Sequence, residues 1–149
     1  MTDIITTDNL HITGTASTPT VDFRFDVHQL SLSGESYPEN AAAFYGPLIE
    51  QVQRYLQNRL VQNRLVQNRL AATAGQPAPI NVHVSLPYFN SSSTKMLFSL
   101  FNILDKAAQQ QLPIALHWYY DQDDDIAEEF GQELHIDFPA LEFHPHILE

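Results

Sequence analysis

The 149-residue chain has no cysteine, only 5 glycines, and 7 basic residues against 18 acidic ones. The absence of cysteine excludes disulfides, thiolate nucleophiles, cysteine-ligated zinc and iron–sulfur clusters, and gives no sign of an oxidising compartment. None of the glycines falls in the spacing of a phosphate-cradling loop, and there is no Gly-x-Ser-x-Gly nucleophile elbow. A formal charge of -11 with neutral histidines repels a phosphate backbone, so nucleic acid is not an expected partner. No apolar run approaches the roughly 20 residues that a membrane span needs. The opening residues Met1 to Thr6 place no basic region ahead of an apolar stretch. The expectation is a cytoplasmic protein with no membrane association.

What is present is a 44% hydrophobic chain of one ordinary domain's length, 1–149. Gly14 to Thr20 reads as a loop after a polar, β-leaning start. Val21, Phe23, Phe25 and Val27 alternate with Asp22, Arg24 and Asp26, and Leu30 and Leu32 alternate with serines, which together read as an antiparallel hairpin ended by Gly34. Ser36 and Glu39 have capping-box spacing with Pro38 between them, so a helix is expected to begin near there. Phe44, Leu48, Val52, Leu56 and Leu60 give it a core-facing stripe, and Pro47 is expected to kink or divide it.

A tandem repeat, Gln-Asn-Arg-Leu-Val, then occupies 57–70. Five residues advance a helix by about 500°, so Leu60, Leu65 and Leu70 stand roughly 140° apart and cannot share a buried face. The repeat reads as a duplication lengthening a surface helix or loop, an insertion with its linker around 57–79. The other reading is an arginine patch of Arg54, Arg59, Arg64 and Arg69 for an acidic partner, which the angular spread disfavours. Ile80 to Leu86 alternates as a further strand, and Tyr88 to Thr94 leads into a helix carrying Met96, Leu97, Leu100, Phe101 and Leu104. Ile114 to Tyr120 is a strand, Ile126 to Phe130 a short helix stopped by Gly131, and Leu141 to His144 part of a last strand. The order implies an α/β fold, a mixed sheet of about five strands with an N-terminal hairpin and helices packed on it.

Few residues carry obvious chemistry. His144 and His146 offer two imidazoles and Asp121 to Asp125 offers oxygens, yet the acidic run lacks calcium-loop spacing and reads as helix-start charge, and the histidine pair as a solvated tail. His11, His28, His83, His117 and His135 are scattered, with no ligand spacing. No metal or other cofactor is expected. Trp118 reads as the buried end of a strand, while Tyr120 is left open between core and ligand contact. The hydroxyl run Asn90-Ser91-Ser92-Ser93-Thr94 is the most informative segment. By composition it is a helix cap and serine-rich turn. Its functional reading is a phosphoacceptor at a helix N-terminus, where a phosphate gains backbone N–H partners and dipole compensation.

Gly34-Glu35-Ser36-Tyr37-Pro38-Glu39-Asn40, the block Tyr88-Phe89-Asn90-Ser91-Ser92-Ser93 with Lys95, and Trp118-Tyr119-Tyr120-Asp121 with Asp123, Asp124 and Gly131 resemble the SiaC family of bacterial regulatory phosphoproteins. The matching blocks run in order from about Leu10 to Phe143. The resemblance implies a STAS-like fold and a non-catalytic switch, phosphorylated by a dedicated Ser/Thr protein kinase and cleared by a PP2C-type phosphatase. It further implies that the unphosphorylated form binds and activates a diguanylate cyclase, a GGDEF protein, and so sets cyclic-di-GMP output and biofilm formation. The family's acceptor maps to Ser91, with serine here where the pattern has threonine, and Ser92 becomes a competing acceptor. Asn90 and Ser92 would shape the helix start, and Glu39, Asn40 and Tyr120 would belong to the partner face. Two alternatives stand beside this: a STAS-type anti-sigma-factor antagonist in transcriptional partner switching, and a small hydrolase or metal-dependent enzyme using the acidic run and His144.

Overall fold

The computed structural model describes residues 7–70 and 77–148. In chain order the elements are β1 (Leu10–Ile12), β2 (Thr20–Arg24), a 3-10 turn (Phe25–Val27), β3 (Gln29–Ser33), α1 (Ala41–Leu70), β4 (Ile80–Ser85), α2 (Ser91–Ala108), β5 (Ile114–Asp121), α3 (Asp125–Asp137) and β6 (Glu142–Leu148). The strands form one 6-stranded sheet in the order β1-β2-β3-β4-β5-β6. β1, β2 and β3 pair antiparallel, and β3, β4, β5 and β6 pair parallel. The expected hairpin is β2 and β3, with Val21 opposite Leu32 and Phe23 opposite Leu30.

The strand before the loop was not expected as an element. Leu10 and Ile12 form β1 because Phe23 and Val21 stand opposite them, a pairing that the short stretch does not announce locally. The alternation over 21–27 also stops early: after Arg24 the chain turns, and Phe25 stays buried while Val27 is exposed.

One face of the sheet is apolar. Val21, Phe23, Leu30, Leu32, Val82, Val84, Leu116 and Trp118 join Tyr45, Leu48, Val52, Leu56, Leu97, Phe101, Leu104 and Leu134 from the three helices in a single cluster. At about 25 cal/mol per Å² of apolar surface removed from water, this burial is the main force holding the layers together.

Three expectations about the helices need correction. Ser36 is not a helix cap: α1 begins at Ala41, and the Asn40 Oδ1 accepts a hydrogen bond from the Ala43 N–H at 3.0 Å. Ser36 is instead fully buried and bridged to Phe89. Pro47 does not divide α1, which runs on to Leu70 with the buried stripe Tyr45, Leu48, Val52 and Leu56 continuing across it. Gly131 does not stop α3. The helix continues to Asp137, and Gly131 sits where a Cβ would stand 2.8 Å from Trp118 Cδ1. It is a close-approach glycine and not a C-cap.

The repeat extends α1 through the described residues to Leu70, and the residues 71–76 of the linker lie outside the described ones. Leu60 still packs on the core and Leu65 is exposed, as the angular drift requires. Arg59 departs from the surface reading: it is only 7% exposed.

Candidate functional site

The turns after β3 and β4 lie side by side and are stitched by backbone hydrogen bonds. The Ser36 N–H donates to the Tyr88 carbonyl at 2.8 Å, and the Asn90 N–H donates to the Ser36 carbonyl at 3.0 Å. Asn90, extended at φ -90° and ψ 175°, then starts α2, its side-chain Oδ1 accepting the Ser93 N–H at 2.9 Å. Asparagine suits this position because its side chain satisfies a donor that the first helical turn leaves unpaired.

This geometry sorts the hydroxyls of the run. Ser91 and Ser92 occupy the first two helical positions and are exposed. Ser93 points inward, fully buried, and its Oγ donates to the Ser36 carbonyl at 3.0 Å and lies 2.8 Å from the Ser36 Oγ. Tyr45 of α1 completes the network with its hydroxyl on the Ser36 Oγ. Burial raises the Tyr45 phenol's pKa above its ordinary value, against smaller opposing effects of Ser36 and Ser93, so the hydroxyl keeps its proton. The Thr94 hydroxyl donates back to the Asn90 carbonyl at 3.2 Å. Two hydroxyls, of Ser91 and Ser92, face outward on a base held by the buried hydroxyls of Ser36, Ser93 and Tyr45.

Glu39 and Asn40 are exposed on the turn stitched to this helix start. Tyr120, on β5, is half-buried and packs against the core. Tyr37 and Tyr88 lie in the blocks that carry the family resemblance but are not among the residues expected on the partner face. Both are exposed, at 39% and 52%, and their rings meet edge to face at 5.7 Å across the two turns. A large apolar surface left outside is the informative kind. The only local signal was the position of each tyrosine in a turn. Their meeting depends on the Ser36–Phe89 bridge, which is not local.

The second polar region is the sheet face away from the helices. His83, His117 and His144, read as scattered or as tail, stand directly opposite one another on β4, β5 and β6. Their rings stack at 4.6 Å and 4.9 Å, about the spacing of neighbouring strands. His146 is likewise part of β6 and not a solvated tail, with its Nε2 at 2.9 Å from the His117 Nδ1 and its ring stacked on Tyr119 at 4.6 Å. The Asn81 Oδ1 accepts from the other nitrogen of His117 at 3.0 Å. Burial first, then the imidazoles of His83, His144 and His146, lower the His117 pKa to about 4, against a smaller raising effect of Glu142. Among the described residues no three His, Cys, Asp or Glu side chains are arranged to hold a metal ion. Trp118, on the opposite face, is buried as expected, and its indole N–H donates to the Ala127 carbonyl at 2.9 Å.

Residues 12–148 match the family described as SiaC family regulatory phosphoprotein. The chain belongs to the SiaC family. It is 32% identical over 140 residues to an uncharacterized protein of Pseudomonas aeruginosa strain UCBPP-PA14, covering 91% of this chain and 97% of that one. Among solved structures, it superposes on a chain of the crystal structure of diguanylate cyclase SiaD in complex with its activator SiaC from Pseudomonas aeruginosa. The TM-score is 0.74 at 30% identity, over 93% of this chain and 99% of that chain. Apo-SiaC from the same organism gives a TM-score of 0.70 at 29% identity, over 95% and 99% of the two chains. This SiaC family member is therefore a regulatory α/β protein of SiaC fold. None of its described helices is long and apolar enough to cross a membrane.

Proposed function

We propose that this protein is a non-catalytic phospho-switch whose unphosphorylated form binds and activates a diguanylate cyclase. The observation carrying this is the outward pair Ser91 and Ser92 at the start of α2, beside the exposed rings of Tyr37 and Tyr88. The solved complex of SiaD with its activator SiaC supports the choice of partner. In this reading Ser91 is the acceptor and Ser92 the alternative. Asn90 fixes the helix start, Glu39 and Asn40 flank the docking face, and Tyr120 backs it from β5.

A phosphate on Ser91 adds about -1.5 to -2 charges beside backbone N–H groups that stabilise it. It blocks docking by its bulk and by repelling acidic groups of the partner. The regulators are a dedicated Ser/Thr kinase and a PP2C-type phosphatase, and the output is cyclic-di-GMP and biofilm formation in a bacterial cytoplasm. Ser93 is no acceptor, because phosphorylating it would first break its contacts with Ser36.

The test is intact mass and peptide mapping after incubation with the cognate kinase and ATP. A single phosphate on Ser91 or Ser92 is expected. Ser91→Ala should still activate the cyclase, and Ser91→Asp should not. Label confined to other residues removes the acceptor, and a Ser91→Asp chain that binds the cyclase like wild type removes the mechanism.

A further inference from the structure

The parallel strands have a second end, away from Ser91, where His28 leads into β3. There a cavity of about 470 Å³ opens between α1 and the 3-10 turn, within the roughly 300–1,000 Å³ typical of small-molecule sites. Its inner wall is Phe25 and Tyr55, whose rings lie 4.8 Å apart, with His28 and Arg59 beside them. Asp8 and Asp26 stand at the mouth, both exposed.

Arg59 is the unusual member. It is 7% exposed, and its Nη1 donates to the Tyr55 hydroxyl at 3.0 Å and to the His28 Nδ1 at 2.9 Å, while Nη2 donates to the Ala78 carbonyl. These acceptors are uncharged, and none of the ion pairs among the described residues includes Arg59. A guanidinium taken out of water without a counter-charge is costly, and natural proteins pair such groups. Burial, then Arg59, lower the His28 pKa, against a smaller raising effect of Asp26, which keeps the imidazole neutral as the acceptor. His28 is also held at φ 60° and ψ 40°, a left-handed conformation unfavourable for a residue with a Cβ. Arg64 shares Arg59's local sequence in the repeat and is exposed, so position on the helix and not the motif puts this charge inside.

The mouth has the opposite sign. Asp26 is fixed there by Asn9, whose Nδ2 donates to the Asp26 Oδ1 at 2.9 Å while the Asp26 N–H donates to the Asn9 Oδ1 at 3.2 Å. A multiply charged anion would meet Asp8 and Asp26 on entry. A molecule with one anionic and one cationic end fits both.

We infer that this cavity binds a small zwitterionic carboxylate of the amino-acid type, its carboxylate on Arg59 and its ammonium at Asp8 and Asp26. The site is separate from the Ser91 face and is assigned without reference to it.

The experiment follows the Arg59 Nε–Hε and Tyr55 ring signals by heteronuclear NMR in the full chain. The probes are glycine, γ-aminobutyrate and glycine betaine, with acetate and inorganic phosphate for comparison. At least one zwitterion should move both signals with a Kd of about 1 mM or below, and about tenfold more tightly than acetate or phosphate. Asp26→Asn, a surface change, should weaken the zwitterion several-fold and strengthen acetate, because it removes an attraction for the ammonium and a repulsion of the anion. Arg59→Lys, if folded, should lose the effect. No shift with any zwitterion up to about 20 mM overturns the proposal. So does acetate or phosphate binding as tightly as the zwitterions, or Asp26→Asn binding them like wild type.

Discussion

The two faces of the sheet are built from alternate residues of the same strands, yet they hold their neighbours by different means. On β4 and β5, Val82, Val84, Leu116 and Trp118 look toward the helices, while Asn81, His83, His117 and Tyr119 look away. The first set is held by exclusion of water, which depends little on pH. The second is held by neutral imidazoles stacked at strand spacing and hydrogen-bonded to Asn81, Gln29 and Tyr119, and a proton on any ring changes that arrangement. Alternation places residues on a face, and chemistry then decides how each face responds to conditions.

That contrast can be broken from the apolar side first. Trp118→Ala removes a buried ring and the donor to the Ala127 carbonyl, and urea unfolding should show a loss of about 3–5 kcal/mol. Gly131→Ala pushes a methyl to 2.8 Å from Trp118 Cδ1. Although alanine favours helix, the crowding should dominate and cost about 1–3 kcal/mol in the same assay.

From the polar side the handle is pH. The folded His117 pKa, about 4, lies below the ordinary value of 6.5, so the unfolded chain takes up the proton first. His117 therefore contributes no loss above pH 6.5, and stability falls as pH drops from 6.5 toward about 4. His83, lowered by burial and by His146, acts in the same direction. His117→Gln should flatten the dependence of urea midpoint on pH between about 6.5 and 5, above most carboxylate titration. An equal slope in wild type and variant would remove the ladder's role. The smallest effect is expected at the sheet edge: His11→Ala breaks only a 3.7 Å contact between its exposed ring and the half-buried Asp22, and its stability should match wild type within about 0.5 kcal/mol.

The candidate site was legible where its signals are local. A cap within Asn90 to Ser93 and hydroxyls at a helix start follow from residue types that prefer those positions, and the structure puts the cap on Asn90. The division of Ser91 and Ser92 from Ser93 did not follow, because it depends on Ser36, 57 residues earlier in the chain. Ser36 itself misled: its spacing to Glu39 fits a capping box, but the bridge to Phe89 buries it and Asn40 caps the helix instead. Gly131 misled in the same way, since a glycine after a short apolar stretch reads as a stop until Trp118 is known to lie against it.

By itself the sequence determined the period-two strands, the core stripe of α1, the apolar side of α2 and the block order that marks the family, because all of these are written in spacings of a few residues. Only the tertiary structure decided that His83, His117 and His144 form one ladder, that Arg59 alone of its repeat is described as buried, and that Tyr37 meets Tyr88. Each of these rests on strand register or helix rotation, which couple residues far apart in the chain and leave no local trace.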